Sequence, residues 1–532
     1  MRSTLRPRAR AAADPRVWGA RCLLFFLPLV LGLAWADRQV AQNGELGFPM
    51  DDPYIHFQFA RNLATGHGFA FNPGEPTPGA TSPLWVVVLA VGRTLGAPIE
   101  PLALGLGVLL AGVVAVLTLE VGLAAGLPLA LSACAGIAVG ACGRLIWASL
   151  SGMEITLATA LFLLVVRAQQ SKREGLPRAL LLGGLAGLAA TARPEMAMLG
   201  PLVVVIEALR LARNEPARGA FTRLLPLAAA FALALLPYAV FCFATTGRLL
   251  PNTYYAKGVI GRASDPHLAH YRATYLPLAF QFAYHDNLSF AVLLVPGIVA
   301  WLARRARRDA ALLAAWPLAF WAYSWVVFPR HFSVSRYSIP LIPALALVSM
   351  EPLAWLLERL RGAVARRVTL AAVGLAVVIG AAKSLGDYQP IYLSNVDNIV
   401  RMQVRMGRWV ARNLPRGARV ATNDVGAITY YGGRYCIDTV GLVTSDLITH
   451  QLAWWKRTGS LDTEETLPSF FRKARPDYCI LFPSWYPNLT QAPWLRYMGE
   501  FDFRNTTGGG DRLVVYRVTG TPYGPADEPP LK

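Results

Sequence analysis

The chain has 532 residues, of which 54% are hydrophobic and 16% charged, with a mean hydropathy of +0.39. Soluble domains carry about a quarter charged residues, so an ordinary soluble enzyme is excluded. The formal net charge of +19 invites a nucleic-acid partner, but the basic residues cluster at the ends of apolar runs and no nucleic-acid-binding module is present.

The first apolar stretch, residues 17–36, follows Arg2, Arg6, Arg8, Arg10 and Arg16. About 20 such residues span a bilayer, and the basic flank places the N-terminus in the cytoplasm. Ala34-Trp35-Ala36 has the form of a signal-peptidase site; the stretch is read as a retained span. A polar, Gly- and Pro-rich loop over 37–100 comes next, with Asp51-Asp52-Pro-Tyr-Ile-His56 and Thr81-Ser82-Pro83-Leu84-Trp85. Within it, 83–96 is short and contains Arg93, which predicts a juxtamembrane or re-entrant helix.

Ten further apolar stretches lie near 101–121, 128–147, 154–167, 179–192, 196–210, 223–243, 288–303, 310–328, 338–357 and 368–384. Eleven spans put every strongly basic loop on the cytoplasmic side: Arg167/Lys172/Arg173/Arg178, Arg210/Arg213/Arg218/Arg223, Arg304/Arg305/Arg307/Arg308 and Arg359/Arg361/Arg366/Arg367. The same alternation gathers Asp51–Trp85, Ser149–Glu154, Arg193-Pro-Glu195, Asn252–Lys257 and Arg330–Tyr337 on the outer face. A multi-pass protein of the inner (plasma) membrane is therefore expected, with the lipid bilayer as its first partner.

After about residue 385 the composition turns polar. Val396, Ile399, Met402, Met406, Trp409 and Val410 recur at helical spacing. Arg419-Val-Ala-Thr, Tyr435-Cys-Ile-Asp, Tyr478-Cys-Ile-Leu-Phe and Leu513-Val-Val-Tyr-Arg-Val read as strands between turns. The expected architecture is an α-helical polytopic membrane module, residues 1–384, followed by a soluble extracytoplasmic α/β domain, 385–532. Cys436 and Cys479 are read either as a disulfide or as two strand-core thiols. Asn488-Leu-Thr and Asn505-Thr-Thr fit the short glycosylation pattern.

Two adjacent carboxylates at a membrane surface are costly unless they bind a cation or take up a proton. Asp51 and Asp52 thus suit a general base acting on an acceptor hydroxyl, or a divalent-cation site for Mg or Mn. His56, Arg61 and His67 follow in the same loop, and Asn72-Pro-Gly-Glu75 is turn chemistry first. Glu154 at the mouth of a hairpin should face a polar cavity. Arg193-Pro-Glu195 reads as a tight hairpin with a local ion pair or as part of that cavity. Asn252, Tyr255 and Lys257, with His331, Arg336 and Tyr337, lie near span ends, where a cation either binds a lipid phosphate or snorkels to headgroups.

These residues, in this order, resemble the GT-C superfamily of membrane glycosyltransferases, nearest to the branch that includes the arabinofuranosyltransferases of cell-wall arabinan. The likeness runs through Asp51, Asp52, Tyr54, Ile55, Arg61, Asn62, Leu63, Gly66, Gly68, Asn72, Pro73, Gly74, Glu75, Gly79 and Thr81 to Trp85. It continues at Gly152-Met-Glu154, Arg193-Pro-Glu195, Pro251–Lys257, Arg336-Tyr337, Asn423-Asp424-Val-Gly426-Ala427 and Ile437-Asp438-Thr-Val-Gly441-Leu442. Pro53, His56 and Gln58-Phe59 depart from the pattern. The resemblance implies a polyprenyl-phosphate-linked sugar donor, a glycan or glycolipid acceptor and inverting transfer on the outer face. It implies Asp51 as base with Asp52 beside it. A lipid-linked glycan flippase is the principal rival, and mid-span ionisable residues or internal repeats would favour it; neither is evident in the sequence.

Overall fold

The computed structural model describes residues 14–171, 173–212, 217–261, 267–305, 311–327, 331, 333–503 and 509–520. Arg2, Arg6, Arg8, Arg10, Lys172, Arg213, Arg307, Arg308, Arg330 and Asn505 lie outside them, as do the side chains of Arg218, Arg304 and Arg305. Each of the eleven apolar stretches is largely helical over its described residues, with breaks at 141–142 and 350. Among the described residues, five runs are long and apolar enough to cross a membrane: Pro15–Asn43, Ile99–Ala124, Phe221–Thr246, Arg336–Arg359 and Ala363–Asn413. Leu129–Gly140 and Gly143–Ser149, bent by 56°, form a sixth as a pair. Ile155–Gln169, Leu176–Ala192, Leu288–Trp301 and Ala311–Val327 are shorter apolar helices, as is the first-loop helix Pro83–Thr94. The chain is a polytopic membrane protein. Several helices were not expected: Asp52–Ala64 in the first loop, Ser445–Thr458 and Thr463–Ala474 in the polar C-terminal part, and Leu268–Asp286, which mixes Arg272, His285 and Asp286 with its apolar residues and so escapes a hydropathy reading.

The chain divides into two compact units. The first consists of the chain up to Arg38, Leu104–Leu236 and His270–Ile391. Lipid offers no hydrophobic drive for helices to associate, so small residues that permit close approach hold them together. Gly183 and Gly187, four apart on Leu176–Ala192, meet Leu227, Phe231 and Ala234 of the following long helix. A methyl group at Gly183 would collide with the Leu227 carbonyl.

Charge is also buried in this unit. Arg144 and Asp286 are essentially inaccessible (2% and 0% exposed). The guanidinium grips the carboxylate in a two-point fork, Nε to Oδ1 at 2.8 Å and Nη2 to Oδ2 at 2.5 Å. Its Nη1 donates to Ser338 Oγ at 3.0 Å and to the Val334 carbonyl at 3.3 Å. Such a pair is balanced only while both members remain.

The second unit is discontinuous in sequence: Gln39–Ala103, Pro237–Ala269 and the chain from Tyr392 onward. A linear division at residue 384 does not describe it. The helix Ala363–Ile399 runs straight through that point into a π-helical turn, Val400–Val404, and the helix Arg405–Asn413. The sheet has strands β1 (Arg419–Thr422), β2 (Tyr435–Asp438), β3 (Tyr478–Leu481), β4 (Leu495–Asp502) and β5 (Arg512–Val518) in the order β2-β1-β3-β5-β4. β1 pairs in parallel with β2 and β3; β5 is antiparallel to β3 and to β4. Cys436 on β2 and Cys479 on β3 are separated by β1 and are both free, buried thiols, which settles the open choice against a disulfide.

Removing one member of the buried pair, as in Asp286→Ala, should cost about 3–5 kcal/mol by stranding the arginine. Arg144→Met combined with Asp286→Leu should recover most of that loss. Thermal unfolding of the detergent-purified variants measures both, and additive losses in the double variant would contradict the pairing.

Candidate active site

Asp51 occupies the N-cap position of the helix Asp52–Ala64 yet makes no side-chain cap to it, as an aspartate there usually would. Its carboxylate turns to the segment after β1. Oδ2 accepts the Gly426 N–H at 2.6 Å and Oδ1 the Ala427 N–H at 2.7 Å. Glycine is required at 426 because a Cβ would collide with the Asp51 carbonyl and lie 2.6 Å from Oδ2. Burial raises the Asp51 carboxyl to about 6, against the lowering pull of the two amides, and the neighbouring Asp52 charge raises it further. Asp424 accepts from Gln403 Nε2 at 2.7 Å, and burial with the nearby Asp51 charge holds its carboxyl well above the ordinary range. Asp438 is also raised to about 6 by burial, while it accepts the Val440 and Val443 amides at 2.7 and 2.8 Å and so shapes the turn after β2.

The rest of the first loop fastens to the same domain. β2 lies at the sheet edge, where its backbone would otherwise be open to unwanted pairing. Asn72 covers it: Nδ2 donates to the Cys436 carbonyl and Oδ1 accepts the Cys436 N–H, both at 2.9 Å. Glu75 Oε2 accepts the Tyr435 hydroxyl at 2.7 Å. Arg61 donates Nη1 to the Tyr430 carbonyl at 3.0 Å, bonds Gln58 Oε1, and lies 4.7 Å from the Tyr430 ring centre. Buried His56 pairs Nε2 with Thr81 Oγ1 at 3.2 Å. Exposed His67 pairs Nδ1 with Thr65 Oγ1 at 2.9 Å. These four expected site residues thus hold the loop in shape.

Fully buried Asn252 is a bracket between segments. Its backbone N–H donates to the Pro78 carbonyl at 3.0 Å, and its Nδ2 reaches Ser445 Oγ at 2.9 Å and Thr77 Oγ1 at 3.3 Å. The chain then enters a π-helical turn, Tyr254–Ile260, a form frequent at functional sites. Arg248 lies 5.1 Å from the ring centre of Tyr255. Lys257 is half-buried on this turn.

The first unit holds the remaining expected residues. Arg193 is buried between two carboxylates, donating Nη1 to Glu154 at 2.8 Å and Nε to Glu195 at 2.5 Å. Glu154 is therefore enclosed and paired. Tyr337 lies between two guanidinium groups, with Arg193 and Arg336 each 5.3 Å from its ring centre. Arg336 itself is buried against Met153 Sδ at 3.8 Å. Three consecutive residues with left-handed backbone, Ser333, Val334 and Ser335 (φ 41°, 52° and 53°), lead into it. For β-branched Val334 that conformation is a genuine outlier, and such strain persists only where the surroundings impose it. Here the Arg144–Asp286 pair supports it through the Val334 carbonyl. His331 does so through Ser335 Oγ (Nδ1, 2.7 Å), while its Nε2 meets the Tyr275 carbonyl at 3.0 Å. With both nitrogens engaged and its ring stacked on Tyr275, His331 shapes the turn and has no nitrogen left for a phosphate. Arg144 and Asp286 were not singled out from sequence, and Asp424 and Gly426 only as part of the resembled segment Asn423–Ala427. The signal for Arg144 was a lone charge in the 128–147 apolar stretch.

Among the described residues no group of three or more His, Cys, Asp or Glu is placed to hold a metal ion, and both Asp51 oxygens accept amide protons.

Residues 397–516 match a family model described as a domain of unknown function (DUF8728). No curated protein matches the chain. Among solved structures it resembles ArnT from Cupriavidus metallidurans bound to undecaprenyl phosphate (TM-score 0.59, 13% identity, 96% of this chain and 100% of that one). It also resembles the Archaeoglobus fulgidus oligosaccharyltransferase in its apo form (TM-score 0.57, 10% identity, 92% and 76%). A third likeness is to AglB of that organism with an inhibitory peptide and a dolichol-phosphate (TM-score 0.56, 12% identity, 95% and 75%). The chain shares the fold of these structures.

Gly426→Ala tests the Asp51 contact without touching the acid. It should lower the unfolding temperature of the purified protein and increase amide exchange at 426–427, with wild-type exchange contradicting the contact.

Proposed function

We propose that this protein is an inverting glycosyltransferase that moves a sugar from a polyprenyl-phosphate donor to a glycan or other envelope acceptor. The observation that carries the reading is the extent of the fold likeness: nearly the whole chain follows a transferase bound to undecaprenyl phosphate. The basic loops supply the orientation, with a cytoplasmic N-terminus, a plasma-membrane location and transfer on the outer face.

Asp51 is assigned as the base. Each carboxylate oxygen has two lone pairs, so the Gly426 and Ala427 amides fix the group while leaving acceptor capacity for a hydroxyl. A carboxyl raised to about 6 is a stronger base than an ordinary aspartate and is still ionised at neutral pH. The acceptor O–H proton passes to Asp51 as that oxygen bonds the anomeric carbon. The bond from that carbon to the phosphate oxygen breaks on the opposite face, and the phosphate leaves with the electron pair. Lys257, in the same compact unit as Asp51, is assigned to the donor phosphate, where a cationic group stabilises the leaving charge. Asp52 is the orienting neighbour.

The pH dependence has a definite sign. The active form is the carboxylate, so turnover should rise with pH through about 6 and level off above it. Asp51→Asn should insert and bind donor but lose about 10²–10⁴-fold in transfer, together with that pH limb. A detergent assay with synthetic donor measures both. Transfer within a few-fold of wild type, with the acid limb intact, would remove Asp51 from this role.

A further inference from the structure

A cavity whose lining does not include Asp51 lies within the discontinuous unit. It is a cleft of about 680 Å³, in the size range of small-molecule sites. Its lining includes Trp455, Trp485, Tyr486, Gln451, Asp462 and Thr439, and the end of the π-helical turn forms one side. We infer that this cleft binds a neutral saccharide, the acceptor glycan of the proposed transfer.

Three observations support the inference. The first is aromatic surface: Trp455 and Trp485 are 45% and 42% exposed, offering flat amphipathic faces suited to the C–H side of a sugar ring. Trp485 is held in place by its Nε1 donating to the Gly509 carbonyl at 2.5 Å, so little rotamer freedom is lost on binding. The second is polar capacity without a polar partner. Gln451 is 2% exposed and gives its Nε2 to Thr463 Oγ1 at 3.4 Å, but its buried Oε1 has no hydrogen-bond partner among the described residues. A buried carbonyl left unmatched is costly, and a ligand hydroxyl would satisfy it. Asp462 adds acceptor capacity, since only its Oδ1 is used in capping the Glu464 amide at 2.8 Å.

The third is charge. Among the described residues the lining contains Asp462 and Glu464 but neither lysine nor arginine, which disfavours a phosphate or other anion and suits an uncharged, hydroxyl-rich ligand. Glu464 is occupied in fixing the floor, accepting the Asn488 and Leu489 amides at 2.9 and 3.0 Å. Tyr486 is tied to Thr439 by a 3.1 Å hydroxyl pair. The cleft is thus formed before any ligand enters.

The acceptor role rests on the transferase reading, whereas saccharide binding can be tested alone. Full-length protein in detergent would be applied to an array of immobilised neutral, sialylated and phosphorylated oligosaccharides, alongside immobilised peptides. The expected result is retention on neutral glycans, weakened roughly tenfold or more by Trp485→Ala and by Trp455→Ala, as for truncated aromatic anchors. Gln451→Leu, which removes the acceptor at similar size, should weaken it as well. Both tryptophans are exposed, so unfolding temperatures should stay at the wild-type value. Wild type retaining no neutral glycan, a preference for anions or peptides, or undiminished binding by both tryptophan variants would each overturn the inference. Glycan retention that requires Trp485 in a protein unable to consume any polyprenyl-phosphate sugar would leave the cleft standing and remove the transferase reading instead.

Discussion

A polar loop that completes the hydrogen bonding of a sheet edge is the constraint on which the discontinuous unit depends. Asn72 satisfies both backbone groups of Cys436 on the edge strand, and Asp51 takes the Gly426 and Ala427 amides. Buried backbone groups must find partners, and here the partners are side chains from more than 350 residues earlier in the chain. The resembled first-loop motif therefore has two tasks. Asn72, Glu75 and Arg61 fasten the loop, and the fastening fixes where Asp51 sits.

The same contact sets the chemistry available to Asp51. An ordinary exposed aspartate is a poor base at neutral pH because its pKa lies too low. Enclosure raises it, while the two amides limit the rise to about 6 and hold the carboxylate in one orientation. Asp424 is raised as well, with burial and the Asp51 charge favouring its protonated form. In the membrane unit Arg144 and Arg193 are each matched by carboxylates, and Arg144 supports the left-handed turn ahead of Arg336.

What was legible in the sequence depended on the range of the interaction. The apolar stretches and strands β1, β2, β3 and β5 follow local patterns and were read close to their observed positions. β4 was missed because only Leu495 along it is buried, so it shows no alternation between a core face and a solvent face. The helix Leu268–Asp286 was missed because its charges dilute its hydropathy. The boundary near 385 dissolved because one continuous helix crosses it. Glu154 was expected to face a polar cavity, but nothing local names Arg193, 39 residues away, as its partner. Asp51 was legible as an acid in a suspicious place; its partners across 375 and 376 residues were not. The glycine at 426 was visible, but its reason appears only when the carboxylate is seen against it.

The central claim is sugar transfer from a lipid phosphate with inversion at the anomeric carbon. The most direct measurement is NMR of the product formed when the purified full-length protein, in nanodiscs, is given synthetic polyprenyl-phosphate sugars of defined anomeric configuration and an acceptor glycan. Release of polyprenyl phosphate with a product of opposite anomeric configuration is the expected result. A product that keeps the donor's configuration, or donors left intact by protein shown to be folded, would contradict it.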